Sequence, residues 1–154
     1  MRSTNRAEER VKKMIETGEF NDTIEQCFEK QGIGCKYNLM TRFFCGTEDF
    51  CMNDTEKALA RAKENILNHY AAVGLLEHFL LTLKIIQRRL PYFLPVLPEE
   101  LTHFKLNEGT NKFNSSCVSK EMIEKIKQAN WLDIELYEFV KEIFWKQVKA
   151  CGIL

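Results

Sequence analysis

The spacing of six cysteines constrains the fold of this 154-residue chain more than any other feature. In chain order they are Cys27 and Cys35, Cys45 and Cys51, and Cys117 and Cys151. Neither early pair has the two-residue gap of a zinc knuckle, and no histidine is close to either pair in sequence, so a metal site is poorly supported. Local disulfides within the two early pairs fit better. The sequence leaves the pairing of the last two cysteines open.

Three N-glycosylation sequons favour an oxidising, secretory compartment, where disulfides persist. Their acceptor asparagines are Asn21, Asn53 and Asn114, each followed two residues later by a threonine or serine. Residues 1–10 are polar and charged, with no apolar stretch that could act as a signal peptide or membrane anchor. A lumenal protein of this kind is therefore expected to be part of a longer chain.

The charge balance argues against two classes of partner. Twenty-two Lys and Arg residues match twenty-two Asp and Glu residues, so no overall field draws the chain to nucleic acid or to an anionic membrane. The longest apolar stretch, 70–86, contains Glu77, His78 and Lys84, which is typical of a core segment and not of a membrane span. A polyanion would have to bind a local basic patch.

Apolar spacing predicts helices along most of the chain. A polar helix or arm is expected over 2–16, ending at Gly18, and a short helix over 22–29. The next helix is expected over 54–68, with Asn53 as its N-cap.

Near the C-terminus, two further helices are predicted from capping residues and periodicity. Ser119 is expected to cap one helix and Asp133 the last one. The last helix has an apolar face that recurs every four residues, formed by Leu136, Val140, Phe144 and Val148.

One short run predicts a β-strand. Residues 70–75 are apolar without alternation, as in a strand that is buried on both faces of a parallel sheet. A single buried strand would leave its amides and carbonyls unpaired, so its neighbours would have to come from sequence outside this chain. If the run is instead helical and continuous with the next segment, that inference fails.

The candidate acid–base residues are the three histidines, because imidazole titrates near neutral pH. His69 at a helix end and His78 at a helix start favour structural roles, whereas His103 on a long polar loop stays open. Lysines and hydroxyls on that loop, 102–116, could bind a phosphate, but a solvated surface loop is the preferred interpretation.

Several segments, in order, resemble a known family. Residues 23–27 read Thr-Ile-Glu-Gln-Cys, 43–46 read Phe-Phe-Cys-Gly, 58–65 read Ala-Leu-Ala-Arg-Ala-Lys-Glu-Asn and 73–77 read Val-Gly-Leu-Leu-Glu. With 90–93 and 135–140, they give a match over roughly 23–144. The chain resembles the C-terminal half of the family of heparan sulfate 2-O-sulfotransferases and dermatan/chondroitin uronyl 2-O-sulfotransferases.

The resemblance implies an activity. Enzymes of this family transfer a sulfuryl group from 3′-phosphoadenosine 5′-phosphosulfate, without a metal, to the 2-hydroxyl of a uronic acid in a glycosaminoglycan. They work in the Golgi lumen as type II membrane proteins with an N-terminal anchor, and the resemblance is compatible with a homo-oligomer. The sequence does not choose between heparan and dermatan/chondroitin acceptors.

The resemblance also implies a fold and a division of the chain. The family fold is α/β and P-loop-like, and this fragment is expected to be mostly α-helical with about one core strand. Residues 1–22 would be a polar N-terminal arm, and 23–150 the C-terminal portion of a sulfotransferase domain without its nucleotide-binding half. The chain alone would then be inactive. The alternative is a non-enzymatic, disulfide-stapled helical secreted module that binds a protein partner.

The site residues that the resemblance implies are few. Cys27 with Cys35 and Cys45 with Cys51 match the family's disulfide positions. Asn107, Lys112 and Ser115 fall at or near its nucleotide-contacting positions. No catalytic residue and no metal ligand is predicted within the chain.

Overall fold

The computed structural model describes residues 3–32, 35–53, 55–94 and 118–153. The regular structure of these residues is all helical, whereas the sequence predicted a mostly helical fragment with about one core strand. The α-helices are α1 (Ser3–Glu16), α2 (Ile24–Lys30), α3 (Leu39–Cys45), α4 (Glu56–His69), α5 (Phe79–Arg89), α6 (Lys120–Ala129) and α7 (Trp131–Ala150). Single turns of 3₁₀-helix occur at Glu19–Asn21, Asp49–Met52 and Leu76–His78. The chain divides into two compact units, 1–39 with 114–131, and 40–113 with 132–154.

In the first unit, local signals set the ends of the short helices. Gly18 follows α1 with a φ of 77°, a left-handed conformation that glycine adopts without strain, so the predicted end of this helix is confirmed. Thr23 and Gln26 form a reciprocal capping box at the start of α2. A disulfide joins Cys27 in α2 to Cys35 in the same unit.

Asn38 ties the end of α6 to the start of α3 in the first unit. Its amide nitrogen donates to the carbonyl of Ala129 at 2.9 Å, and its backbone N–H donates to Oδ1 of Asn130 at 3.0 Å. Asn38 is buried and has a φ of 50°, which asparagine tolerates better than most residues. The predicted N-cap at Ser119 is confirmed, since its hydroxyl accepts from the N–H of Met122.

The second unit contains the main hydrophobic core, built between α4 and α7. The predicted face of α7 is confirmed, because Leu136, Val140, Phe144 and Val148 are all buried. They pack in one cluster with Leu59, Ala62 and Ile66 of α4 and Ile85 of α5. A second disulfide, Cys45–Cys51, belongs to the same cluster, and both of its cysteines are buried. This disulfide is therefore part of the core and shielded from solvent.

The predicted N-cap of α4 is wrong by two residues. Thr55, and not Asn53, caps this helix, because the Thr55 hydroxyl accepts from the N–H of Ala58. Asn53 instead accepts the N–H of Thr55 through its carbonyl, at the end of the preceding 3₁₀ turn. Threonine and asparagine are both good caps, so the sequence alone had two alternatives two residues apart.

The predicted cap of the last helix is also wrong. Helix α7 begins at Trp131, which places Asp133 inside its first turn. The Asp133 carboxylate accepts from the backbone N–H groups of Met40 and Thr41 and from the Thr41 hydroxyl, at 3.0, 2.7 and 2.7 Å. It therefore caps the N-terminus of α3, a contact across more than ninety positions that propensity cannot foresee.

The strand predicted over 70–75 is wrong as well, since the described residues contain no strand. Leu75 does have extended dihedrals, with φ −113° and ψ 133°. The backbone groups that a sheet would satisfy are instead bonded by side chains from two helices. The backbone N–H of Val73 donates to Oε1 of Gln147, whose Nε2 donates to the Val73 carbonyl, both at 3.4 Å. The Thr82 hydroxyl bonds both the N–H and the carbonyl of Leu75 at 3.1 Å.

Candidate functional site

A cleft of about 280 Å³ lies beside this extended segment in the second unit. Its lining is mostly apolar and comes from α3, the 73–77 segment and α7. The lining residues are Met40, Phe44, Val73, Gly74, Leu75, Leu76, Glu77, Asp133, Leu136, Tyr137 and Val140. Leu76 is 71% exposed and Met40 is 53% exposed, so the cleft has an apolar rim that is open to solvent.

Two polar side chains of the cleft are hydrogen-bonded to each other. The Tyr137 hydroxyl donates a short hydrogen bond to Oε1 of Glu77. This bond from Tyr137 is the main cause that lowers the pKa of the Glu77 carboxyl, with a smaller contribution from a backbone hydrogen bond. The same hydrogen bond raises the pKa of Tyr137, because the carboxylate opposes a negative charge on the phenol.

Both shifts move the pKa values of Glu77 and Tyr137 further from neutral pH. A general acid or base works best when its pKa is near the operating pH, which for a carboxyl requires a raised pKa and for a tyrosine a lowered one. Glu77 and Tyr137 are shifted in the opposite directions. Neither shift tunes the pair for proton transfer near neutral pH, and the mostly apolar lining suits the cleft to an apolar group.

The sequence analysis did not identify Gln147 as the residue that hydrogen-bonds the extended segment. It is 6% exposed, and its Oε1 also accepts from the Arg89 guanidinium at 3.0 Å. The available signal was its position within the apolar face of α7, three residues after Phe144 and next to Val148. A buried amide at such a position has to be hydrogen-bonded. Thr82 gave no comparable signal.

We expect Gln147→Leu to destabilise the second unit by about 1–2 kcal/mol. The leucine fills a similar volume but leaves the Val73 peptide groups without their partner, and the long 3.4 Å bonds limit the cost. Urea unfolding followed by circular dichroism measures the change. Gln128→Leu on the exposed surface of α6 is the matched control. Equal stability of the two variants would show that the amide contributes nothing to holding the extended segment.

A larger, more open cleft lies beside the C-terminal half of α7. Its volume is about 630 Å³, and its lining includes Leu67, Arg89, Lys146 and Cys151. Cys151 is half-buried and forms no disulfide with a described residue. Cys117, whose pairing with Cys151 the sequence leaves open, lies outside the described residues.

The predicted site residues are distributed as follows. The four cysteines form the two expected disulfides. Among the sequon asparagines, Asn21 and Asn53 are exposed. Asn107, Lys112 and Ser115, the predicted nucleotide contacts, lie outside the described residues, as do Asn114 and His103.

The two described histidines differ in surroundings. His69 is the last residue of α4 and exposed. His78 is half-buried and stacks on Phe144, with ring centroids 5.6 Å apart, and its ring also meets Trp145 at 5.0 Å. His69 at the end of α4 and His78 just before α5 lie at the helix end and helix start that the sequence predicted, and their structural roles stay predictions.

Two classes of feature are absent from the part of the chain that the structure describes. No three or more His, Cys, Asp or Glu side chains there are grouped so as to hold a metal ion. None of its helices combines the length and the apolar character needed to cross a bilayer.

In sequence, the chain is similar to two kinds of known sulfotransferase. The chain is 34% identical to human uronyl 2-sulfotransferase over 114 residues, or 72% of this chain. It is 30% identical to chicken heparan sulfate 2-O-sulfotransferase 1, and 29% identical to the human protein of that name, over 128 residues, or 79% of this chain. No family model matches the chain. No solved structure matches it.

The chain spans only about a third of the length of these relatives. The aligned region is 28% of human uronyl 2-sulfotransferase and 36% of the heparan sulfate enzymes. Over the aligned residues, the chain belongs to the sequence family of uronyl 2-sulfotransferase and heparan sulfate 2-O-sulfotransferase 1.

Proposed function

We propose that this chain is the supporting part of a glycosaminoglycan uronyl 2-O-sulfotransferase. The whole enzyme would transfer a sulfuryl group from 3′-phosphoadenosine 5′-phosphosulfate to the 2-hydroxyl of a uronic acid in heparan or dermatan/chondroitin sulfate. The observation that carries the proposal is the 34% identity to human uronyl 2-sulfotransferase. The donor and the acceptor are inferred from the family.

The described residues support a structural role for this part. The Glu77 and Tyr137 pair is shifted away from acid–base work, and His78 is packed against aromatic rings. The chemistry of sulfuryl transfer is therefore assigned to the rest of the enzyme. Asn107, Lys112 and Ser115 would supply an amide, an ammonium and a hydroxyl to the nucleotide, groups that hydrogen-bond phosphate well.

The disulfides and the sequons support a lumenal location. Disulfides persist in the secretory pathway, and the exposed Asn21 and Asn53 are accessible to a glycosyltransferase. We propose the Golgi lumen for the whole enzyme, with a type II membrane anchor outside these residues, and N-glycans at Asn21, Asn53 and Asn114. A homo-oligomer is compatible with this assignment.

A chimera tests the function directly. The aligned residues of this chain replace their counterparts in human uronyl 2-sulfotransferase, and the secreted protein is assayed with labelled donor on heparan and dermatan sulfates. We expect sulfate at the uronic acid 2-position from the chimera and no transfer from the 154-residue chain alone. A chimera that is secreted and folded, yet transfers no sulfate to either glycan, would contradict the proposal. Turnover by the chain alone would contradict its supporting role.

The sequon at Asn53 can be separated from the helix cap that overlaps it. Expressed in a secretory mammalian cell, Asn53→Gln and Thr55→Asp should each remove one glycan, while aspartate preserves the cap of α4. Thr55→Ala should remove the glycan and also cost about 1 kcal/mol of stability. Glycosidase-sensitive mobility on gels and urea unfolding give the two readouts. An Asn53→Gln protein that migrates like its parent would show that the site carries no glycan.

A secreted, non-enzymatic module that binds a protein partner is the second candidate. One observation favours it. The side chains of Gln147 and Thr82 hydrogen-bond the backbone groups of Val73 and Leu75, which therefore need no strand from outside this chain. Cooperative unfolding of the chain together with an inactive chimera would favour this candidate over the enzyme.

A further inference from the structure

We propose that the 630 Å³ cleft beside the C-terminal half of α7 binds a sulfated glycan chain, with Arg89 and Lys146 contacting its sulfate or carboxylate groups. The inference rests on the proposed function, because the acceptor of that enzyme would be a polyanionic glycan. It assigns one contact with this glycan to residues that the structure describes. The overall charge of the chain is balanced, so the argument depends on where individual cations lie.

Arg89 is held in the cleft by a group that does not neutralise its charge. Its Nη1 donates to Oε1 of Gln147 at 3.0 Å, and Gln147 is only 6% exposed. Within the described part of the chain, Arg89 has no carboxylate at ion-pair distance. Arg89 is exposed, and a guanidinium has five N–H donors, so several of them remain for a ligand. A guanidinium in this state is well suited to bind an oxyanion through two parallel hydrogen bonds.

Lys146 adds a second cation to the lining of the same cleft. It pairs with Glu142 at 3.9 Å, and both side chains are more than 70% exposed. A long ion pair between exposed groups contributes little to stability, so Lys146 can exchange Glu142 for an anion of the ligand. With Arg89, the cleft has two cations against one carboxylate.

Further exposed cations lie on the C-terminal parts of α5 and α7. Helix α5 contains no acidic residue but three basic ones, Lys84, Arg88 and Arg89, and Lys149 follows Lys146 by three positions in α7. In the part of the chain that the structure describes, Lys84, Arg88 and Lys149 form no ion pair. The helix dipole favours cations in a last turn, and Lys84 and Lys146 lie before it. These two helix ends therefore carry positive charge that their own fold does not neutralise.

Helix α6 shows the contrasting arrangement. Its Lys125 pairs with Glu121 at 3.1 Å, and its Lys127 pairs with Glu124 at 2.8 Å. Both pairs lie within the helix, at the spacing of one turn. An anion would have to displace a glutamate from each of these lysines, so α6 provides a matched reference for the cations of the cleft.

A chain of charged sugars fits this site better than a membrane surface. Arg89 and Lys146 line a concave site, which a broad bilayer surface cannot enter. The lining also includes Phe139 and Ile143, both half-buried, against which the C–H faces of sugar rings can pack. The additional cations on α5 and α7 suit a ligand that repeats its negative charges along a chain.

A heparin octasaccharide tests the site without any enzyme assay. It is titrated into the 154-residue chain at about 0.15 M salt, and its affinity is measured by calorimetry. We expect Arg89→Gln with Lys146→Gln to weaken binding about tenfold, because two charge-assisted contacts are lost. The control, Lys125→Gln with Lys127→Gln in α6, removes the same net charge and should change the affinity by less than about twofold.

A variant of Gln147 tests why Arg89 is available to a ligand. Gln147→Glu has nearly the same shape but places a carboxylate against the guanidinium, so it should weaken heparin binding about fivefold while both cations are retained. Urea unfolding shows whether each variant is folded. If Gln147→Glu does not fold, the double variant of the exposed Arg89 and Lys146 still decides the question.

Other anions show which ligand the site takes. A desulfated octasaccharide should bind at least about tenfold more weakly than heparin, and vesicles of phosphatidylserine and phosphatidylcholine should not bind. The inference is wrong if heparin does not bind, or if the two double variants have equal effects. It is also wrong if the vesicles bind through Arg89 and Lys146 while heparin does not, since a membrane would then be the ligand.

The chimera separates the outcome for this site from the outcome for the proposed function. An active chimera, together with a chain that does not bind heparin, removes only the glycan site. Heparin binding that depends on Arg89 and Lys146, together with an inactive chimera, removes only the enzyme assignment.

Discussion

Asp133→Ala should lower the free energy of unfolding by about 3 kcal/mol. The carboxylate accepts three hydrogen bonds from Met40 and Thr41, and Thr41 is fully buried, so water cannot replace the lost acceptor there. Helix α3 would lose its N-terminal partner while it still has to hold Cys45 in the core. Urea unfolding followed by circular dichroism measures the change.

Two companion variants make the Asp133 result specific. Glu138→Ala removes a carboxylate from the same helix that pairs with Lys141 on the surface, and it should cost at most about 0.5 kcal/mol. Asp133→Asn keeps one acceptor oxygen but turns an amide donor toward one of the α3 donors. Its loss of unfolding free energy should therefore lie between those of Asp133→Ala and Glu138→Ala. A similar stability for Asp133→Ala and Glu138→Ala would mean that α3 does not depend on this cap.

Local patterns in the sequence were enough to predict most of the helices. Gly18, Thr23 and Ser119 act within four residues of the positions that they terminate or cap, and the face of α7 follows from a repeat of four. Asp133 shows where that reasoning stops. An aspartate near a helix start predicts a cap for its own helix, but here its donors are supplied by a helix more than ninety residues earlier.

The extended segment shows a second limit of sequence analysis, which does not identify the hydrogen-bond partners of the backbone. The apolar run at 70–75 indicated a buried, extended chain, and Leu75 is both buried and extended. Periodicity carries no information on which groups bond the peptide units, and here they are the side chains of Gln147 and Thr82. The cleft beside the segment was not predicted for the same reason, since α3 and α7 meet there only in the folded chain.

Gly74→Ala should also destabilise the second unit by about 3 kcal/mol. A Cβ at this position would lie 2.0 Å from Cγ2 of Thr82, 2.7 Å from its Oγ1 and 2.9 Å from its Cβ. The threonine is β-branched and sits in α5, so its side chain has few alternative rotamers. Its hydroxyl also bonds Leu75, and any rotation away from the new methyl group would break those bonds.

A double-mutant cycle with Thr82→Ser assigns this cost to the contact between the two residues. Serine keeps the hydroxyl that bonds Leu75 and removes the methyl group that lies 2.0 Å from the added Cβ, so alone it should cost less than about 1 kcal/mol. In the Gly74→Ala background it should instead recover about 1 kcal/mol, because the closest clash is gone while those at 2.7 and 2.9 Å remain. If the changes in the urea midpoints are additive, the destabilisation by alanine comes from the backbone of Gly74. A coupling of the expected sign shows instead that it comes from the packing of the extended segment against α5.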